Sequence, residues 1–394
     1  MIVYYFFAAI AVWTGIKSLL GGVRYAAYVK QETSRELPDF RPFVSVIAPT
    51  RGHEEGFVDN VRPLLQQNYP RYEIQFVFDN QQDPCVPLID DLGGNVVIAG
   101  PATDTGQKVH NLIVATQQID PQSEVLVFVD TDARPDKDWL RKLVAPLADE
   151  TVGASTGYRW FIPERGGLAS RLRGVWNASV ASALGADTTK NFCWGGSTAI
   201  RRSTFDELRV VDHWRGAVSD DFTITRVLKE AKRGVHFTPF CLVPSVGDCD
   251  WRELLEFTTR QIKITRVYAP HLWLPLLVGS ALFTIVFVGG LALLIVRLLS
   301  GGSTLVLASV LAAIFALGAA KGFIRWRAVN LALGAKHHAA LRRDLLAHVT
   351  LWPFASLIYL YNAIAAAFSR RITWRGITYN LRSPTEAVII SRDS

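Results

Sequence analysis

Residues 272–296 run for 25 positions without a charged side chain. A helix rises 1.5 Å per residue, so about 20 apolar residues cross the ~30 Å hydrocarbon layer of a bilayer. Such a run constrains the chain before anything else does, because lipid offers no partner for an unpaired backbone group and admits only closed hydrogen-bonded elements. Three further runs stand beside it: residues 2–20, broken only by Lys17, residues 304–320, which are short for a span, and residues 345–368. The chain is therefore expected to be a multi-pass membrane protein, with the bilayer as a standing partner. The first run lacks a basic start and a small-x-small cleavage site, and reads as an anchor rather than a signal peptide.

The formal net charge of +7 is read best against those runs. Arg24, Lys30, Arg35 and Arg41 follow the first, and Lys321, Arg325, Arg327, Lys336, Arg342 and Arg343 lie between the last two. Basic flanks stay cytoplasmic, so the surplus reports topology, and no nucleic-acid partner is expected. This places a long soluble stretch in the cytoplasm and both termini across the membrane. Arg370, Arg371, Arg375, Arg382 and Arg392 pull the other way, and leave open whether the last run spans or re-enters. The organisation expected is a membrane anchor over 1–22, a cytoplasmic catalytic domain over 40–268, membrane helices over 269–370 and a short basic tail over 371–394. Cys85, Cys193, Cys241 and Cys249 form no C-x-x-C pair, which fits a reducing cytoplasm and gives no sign of zinc.

Within the soluble stretch, apolar β-rich runs alternate with helical ones. "FVSVIAPTRG", "YEIQFVFDN", "GGNVVIAG" and "EVLVFVDTD" read as buried strands, with helices at "FVDNVRPLLQQNYP" and "KVHNLIVATQQI" between them. That alternation implies an α/β domain with a Rossmann-like, mostly parallel sheet. In such sheets ligands sit beyond the carboxyl ends of the strands. Residues 158–185, which mix Trp, Arg and apolar positions, read as a helix at the membrane surface.

"VFVDTDARP", residues 127–135, ends a strand in two carboxylates one residue apart. Asp130 and Asp132 there suit a hard divalent cation such as Mn²⁺ or Mg²⁺, which prefers oxygen ligands and the phosphates of a substrate. The competing reading is a turn with two capping aspartates. Asp79, at the end of the second strand, is placed to accept hydrogen bonds from a nucleotide, with Asp83 as its rival in a turn-rich stretch. Asp220 and Asp221 open an amphipathic helix. They serve either as an N-cap with a first-turn acid or as a general base. Arg260, Lys263 and Arg266 share one helix face, either as a clamp on a diphosphate or as a basic stripe at the membrane. Lys108 in "QKVHNL" is a further diphosphate partner or a solvated first-turn lysine. The glycines of "CWGGSTAIRR" permit close backbone approach to a sugar, or make a plain turn. His348, Pro353 and Asn362 lie inside the last apolar run, where polar groups line a site or pack against another helix.

At these residues the chain resembles the ceramide glucosyltransferases, membrane-bound inverting glycosyltransferases of the GT-A fold. The likeness covers the first anchor, "NYPRYEIQFVFDNQQDP", "QKVHNL", "VFVDTD", "SDDF", "RQIKI" and "ITWRGITYNLR". It implies that Asp79, Asp130 and Asp221 match the family's three aspartates, with Asp221 rather than Asp220 as the catalytic base, and that Arg260 opens the fourth motif. Lys263 stands where the family has Arg, and Ile264 where it has Trp. The resemblance implies a UDP-sugar donor, a membrane-lipid acceptor with a primary hydroxyl and a β-glycoside product. A different lipid acceptor (diacylglycerol, a hopanoid or a polyprenyl phosphate) keeps every motif. A polysaccharide synthase or a non-enzymatic nucleotide-sensing membrane protein are the more distant alternatives.

Overall fold

The computed structural model describes residues 1–52 and 56–392. The chain divides into two compact units, one of residues 31–161, 184–247 and 370–394, the other of residues 1–30, 162–183 and 248–369.

The first unit is built on a seven-stranded sheet. Its strands are β1 (Val44–Pro49), β2 (Tyr72–Phe78), β3 (Asn95–Ile98), β4 (Val125–Val129), β5 (Val152–Ile162), β6 (Ser197–Arg201) and β7 (Gly234–Val246), in spatial order 3-2-1-4-6-5-7. β3, β2, β1 and β4 are parallel, as their unbroken apolar sequences imply for strands covered on both faces. β6 runs antiparallel to both β4 and β5. Helix Gln107–Thr116 packs on this sheet through Val109, Leu112 and Ala115, in one cluster with Ile47, Val77, Leu126 and Phe128. The four strands read from the sequence form at their expected places. Residues 158–162 differ: they end β5, and the helix begins only at Leu168. The aromatic-rich YRWFI favours a pleated surface, while Pro163 and the glycines at 166 and 167 separate it from the helix.

The basic tail is structured. β8 (Arg371–Trp374), β9 (Ile377–Ser383) and β10 (Glu386–Arg392) form an antiparallel sheet in order 10-9-8. Its first hairpin turns on Arg375 and Gly376, with φ of 50° and 72°, the positive values that a two-residue hairpin turn demands. The tail is tied into the sheet unit by side chain and backbone. The Gln107 N–H donates to Tyr379 Oη at 3.1 Å, and Arg51 Nε donates to the Arg375 carbonyl at 2.9 Å.

The second unit is helical. Among the described residues, three helices are long and apolar enough to cross a membrane: Ile2–Thr33, Pro270–Leu299 and Leu305–Leu333. The short apolar run at 304–320 thus continues through polar residues into a 29-residue helix. The last apolar run is not one straight rod. Ala335–Thr350 and Trp352–Phe368 meet at a bend of 70°, the form of a broken span or a re-entrant loop. The break falls just before Pro353, where a proline suits the first turn of a new helix. Helix Leu168–Ala181 belongs to this unit: Trp176 stacks on Tyr359 at 4.8 Å between ring centres, and Tyr359 Oη donates to the Trp176 carbonyl. The buried Asn362 accepts from Thr258 and Thr259 on helix Trp251–Tyr268, so its polarity serves helix packing. Gly322 lets the backbone of His348 approach where any side chain would collide.

Replacing Tyr379 by Phe removes the only side-chain acceptor of the Gln107 N–H among the described residues. A loss of about 1–3 kcal/mol in denaturant unfolding of the sheet unit is expected; unchanged stability would show that the tail sheet docks without that bond.

Candidate active site

The parallel strands deliver their acids to one edge. Asp79 follows β2 and Asp130 follows β4, on either side of β1. Adjacent strands lie about 4.8 Å apart, so the two strand ends that carry these acids are about 10 Å from one another across the edge.

At the β4 end, charges are densely paired. Lys108, from the first turn of its helix, brings Nζ to 2.7 Å from Asp130 Oδ1 and 3.4 Å from Asp220 Oδ1. Arg159 on β5 spans the two acids of the D-x-D stretch. Its Nη1 lies 3.0 Å from Asp132 Oδ2, and its Nη2 3.2 Å from Asp130 Oδ2 and 3.3 Å from Asp132 Oδ1. The guanidinium carbon stands 4.9 Å from the Trp194 ring centre, a stacked position suited to cation–π attraction. Burial acts against ionisation of Asp130, but Lys108 and Arg159 outweigh it and hold the carboxyl below its usual range. Lys108 is largely enclosed, with 12% of its side chain exposed; burial acts against its charge, but Asp130 and Asp220 hold its ammonium above the usual lysine range.

Asp220 and Asp221 part company at the start of helix Asp220–Glu230. Asp220 is 3% exposed, and its Oδ2 has no hydrogen-bond partner among the described residues. Burial, opposed by Lys108 and reinforced by Asp221, pushes its carboxyl up to about 6. Asp221 is half-buried; its Oδ1 accepts from the Phe222 N–H at 2.7 Å and from the Ser219 hydroxyl. Ser219 is the N-cap, and the helix end favours both acids. Gly195 closes the wall: a methyl group there would strike the Asp220 carboxylate and come within 2.7 Å of Lys108 Nζ.

Asp79 is buried and ion-paired with Arg51, and its Oδ1 also accepts from Asn80 at 3.2 Å. Asp83 shapes the loop: its two oxygens accept from the backbone of Gly52 at 2.7 Å and of Cys85 at 2.9 Å. Arg260 and Lys263 stand on helix Trp251–Tyr268 in the helical unit, Arg260 over Phe257 at 5.7 Å. Burial lowers the Lys263 ammonium. Arg266, their neighbour on that helix, is committed to structure, donating to the carbonyls of Ala366 and Ala367.

Arg159, Arg375 and Arg51, the partner of Asp79, were not singled out from sequence. Arg159 is hidden in a stretch that reads as helix, and Arg375 in a stretch that reads as tail. Arg375 sits in the left-handed hairpin turn, within electrostatic reach of both Asp130 and Arg51. The signal for it was an Arg-Gly pair between two β-rich runs.

Asp130 and Asp132 offer only hard oxygen donors; both face the Arg159 guanidinium, and Asp130 also faces the Lys108 ammonium. That donor set fits a divalent ion. Among the described residues no third His, Cys, Asp or Glu completes a cage, as suits an ion whose remaining ligands come from water and phosphate.

The parallel half-sheet with this charged edge, in one chain with helices long and apolar enough to cross a membrane, defines an α/β protein of the kind whose ligands sit beyond the strand ends. The sequence profile of glycosyl transferase family 21 matches residues 3–387, and the chain belongs to that family, which is the family of the ceramide glucosyltransferases. Among solved structures, it is similar to the mannosyltransferase PcManGT from Pyrobaculum calidifontis, in complex with GDP-Man and Mn²⁺. The identity is 19%, over 92% of this chain and 98% of that one, with a TM-score of 0.48. The glucosyl-3-phosphoglycerate synthase from Mycobacterium tuberculosis, in complex with Mn²⁺ and UDP-glucose, is 14% identical over 61% and 82% of the two chains, with a TM-score of 0.37.

Proposed function

We propose that this protein transfers a hexose, glucose first among them, from a UDP-sugar to the hydroxyl of a ceramide-like membrane lipid, with inversion. Family membership supports sugar transfer. The observation that carries the site reading is the convergence of Asp130 and Asp132 on one cation at the end of β4.

Asp130 and Asp132 would hold Mn²⁺ or Mg²⁺, which supplies neutralisation of the diphosphate leaving group. The chain's own residues do the rest. Lys108, fixed between Asp130 and Asp220, presents a fully charged ammonium to the diphosphate. Arg159 has the charge and planar fork to grip phosphate oxygens, and Arg375 adds positive potential from the tail hairpin. Asp79, oriented by Arg51, accepts hydrogen bonds from the nucleoside. Arg260 and Lys263 are proposed as phosphate-binding charges from the resemblance; Lys263 offers a point charge, without the two-point geometry of Arg. Asp221 takes the proton of the lipid hydroxyl as its oxygen attacks the anomeric carbon. The bond from that carbon to the diphosphate oxygen breaks, its electron pair leaves with UDP, and the configuration inverts. Asp221 is the better base by position, because it is half-buried and reachable, while Asp220 is enclosed and paired with Lys108.

The helical unit accounts for the acceptor. Removing a two-chain lipid from the bilayer costs about 0.8 kcal/mol per CH₂, so the enzyme resides where its acceptor does. The sheet unit is read as cytoplasmic from the basic flanks. The tail belongs to the same unit, so it lies on the same side. This replaces the expectation that both termini lie across the membrane, and fits a re-entrant last pair of helices with three spans before it. A reporter fused after residue 394 should therefore be active only in its cytoplasmic form, and a periplasmic or lumenal signal would overturn this topology.

The activity is tested with membranes carrying the protein, a panel of UDP-sugars and lipid acceptors, and mass spectrometry of the products. One new hexosyl-lipid class is expected, together with release of UDP. Asp221→Asn should lower turnover by about 100-fold or more while UDP-sugar binding persists. Intact turnover in that variant would remove Asp221 as the base, and an acid limb near pH 6 abolished only in Asp220→Asn would move the role to its neighbour.

A further inference from the structure

Arg325 lies on helix Leu305–Leu333 and is only 6% exposed. Its Nε is buried and has no hydrogen-bond partner among the described residues. The groups in electrostatic reach are the hydroxyls of Tyr25 and Tyr359 and the imidazole of His348, none of them anionic at neutral pH. One turn earlier, Lys321 brings Nζ to 2.7 Å from the Ser18 hydroxyl. Among the described residues no carboxylate pairs with either cation.

Position along the helix adds a second observation. Arg325 is 20 residues beyond Leu305, a rise of about 30 Å, which equals the hydrocarbon thickness and puts the guanidinium at headgroup depth. An arginine that merely snorkels lifts its charged head into water. This one is covered by the first helix and by the two that follow the 29-residue span. A buried charge with no counter-charge is costly unless a partner arrives, and basic pockets between membrane helices on the cytoplasmic side receive lipid headgroups.

We propose that Arg325 and Lys321 form a site for the phosphate group of a membrane lipid. The lipid enters along the seam between helices Ile2–Thr33 and Leu305–Leu333. Gly22 lines that seam, where a methyl group would press on the Lys321 stem at 3.1 Å. The phosphate takes the Lys321 ammonium from Ser18 and gives Arg325 Nε its missing acceptor. The chemistry is shared by the phosphodiester of an anionic glycerophospholipid and the phosphomonoester of a polyprenyl phosphate. The site stands independently of the sugar-transfer reading, since it uses neither the strand-edge acids nor the donor.

The test uses the full-length protein in neutral detergent, titrated separately with phosphatidylglycerol, undecaprenyl phosphate, phosphatidylcholine and inorganic phosphate. Native mass spectrometry reads binding, and the thermal midpoint reads stabilisation. At least one of the two acidic lipids should bind and raise the midpoint, and the stronger of them identifies the source of the phosphate. Arg325→Gln should weaken that binding about tenfold, the loss of one charge-assisted hydrogen bond. Lys321→Gln should weaken it less, and Arg327→Gln, at an exposed neighbour, not at all. If Arg325→Gln fails to fold, Arg325→Lys and Lys321→Gln carry the comparison. Undiminished lipid binding in the Arg325 and Lys321 variants would overturn the proposal. So would binding of neither acidic lipid, or inorganic phosphate matching the lipids.

Discussion

Charge neutralisation at the carboxyl edge of the parallel strands is the constraint on which the sheet unit depends. Asp130 and Asp220 are drawn into low dielectric, where an unpaired carboxylate is expensive. Lys108 lies between them, and Arg159 closes the other side of Asp130 while binding Asp132. Two cations thus serve three acids, and Asp220 is left with one oxygen unpartnered and a carboxyl shifted upward. That unpartnered oxygen can take a further positive charge.

The architecture around this edge follows from where each charged group is anchored. The acids come from strand ends and from one helix N-terminus; the cations come from the Gln107–Thr116 helix and from the interior of β5. Each therefore rests on an element held by the apolar cluster beneath the sheet. The tail sheet braces the same region, because Tyr379 receives the first N–H of the helix that carries Lys108. The helical unit meets its own polar demands by different means. Asn362 ties helix Trp352–Phe368 to helix Trp251–Tyr268, Arg266 of the second caps the carbonyl end of the first, and Arg325 keeps a buried Nε donor without a partner among the described residues.

Much of this was legible in sequence. Buried parallel strands read as unbroken apolar runs, so β1 to β4 and the acids that follow them stood out, as did Lys108 in the helix next to them. What stayed hidden depends on contacts distant along the chain. Tyr158–Arg159–Trp160 belongs to β5, which lies between β6 and β7, both distant along the chain, and its mixed aromatic and basic composition has no decisive period of its own. The tail reads as a charge run until its alternation and its Arg-Gly turn are taken together. The last apolar stretch passes every length criterion for a span, yet it bends beside Pro353, and composition alone carries no bend. The pairing of Arg266 with helix-end carbonyls, rather than with a ligand, was likewise beyond reach of helical spacing.

Asp130 and Asp132 are proposed as the seat of a divalent cation shared with a nucleoside diphosphate. Electron paramagnetic resonance of Mn²⁺ titrated into the purified protein with UDP measures this directly. Bound Mn²⁺ should appear with the native chain, depend on UDP, and vanish in a folded variant carrying Asp130→Asn and Asp132→Asn. A folded double variant that binds Mn²⁺ with undiminished affinity would contradict the central claim.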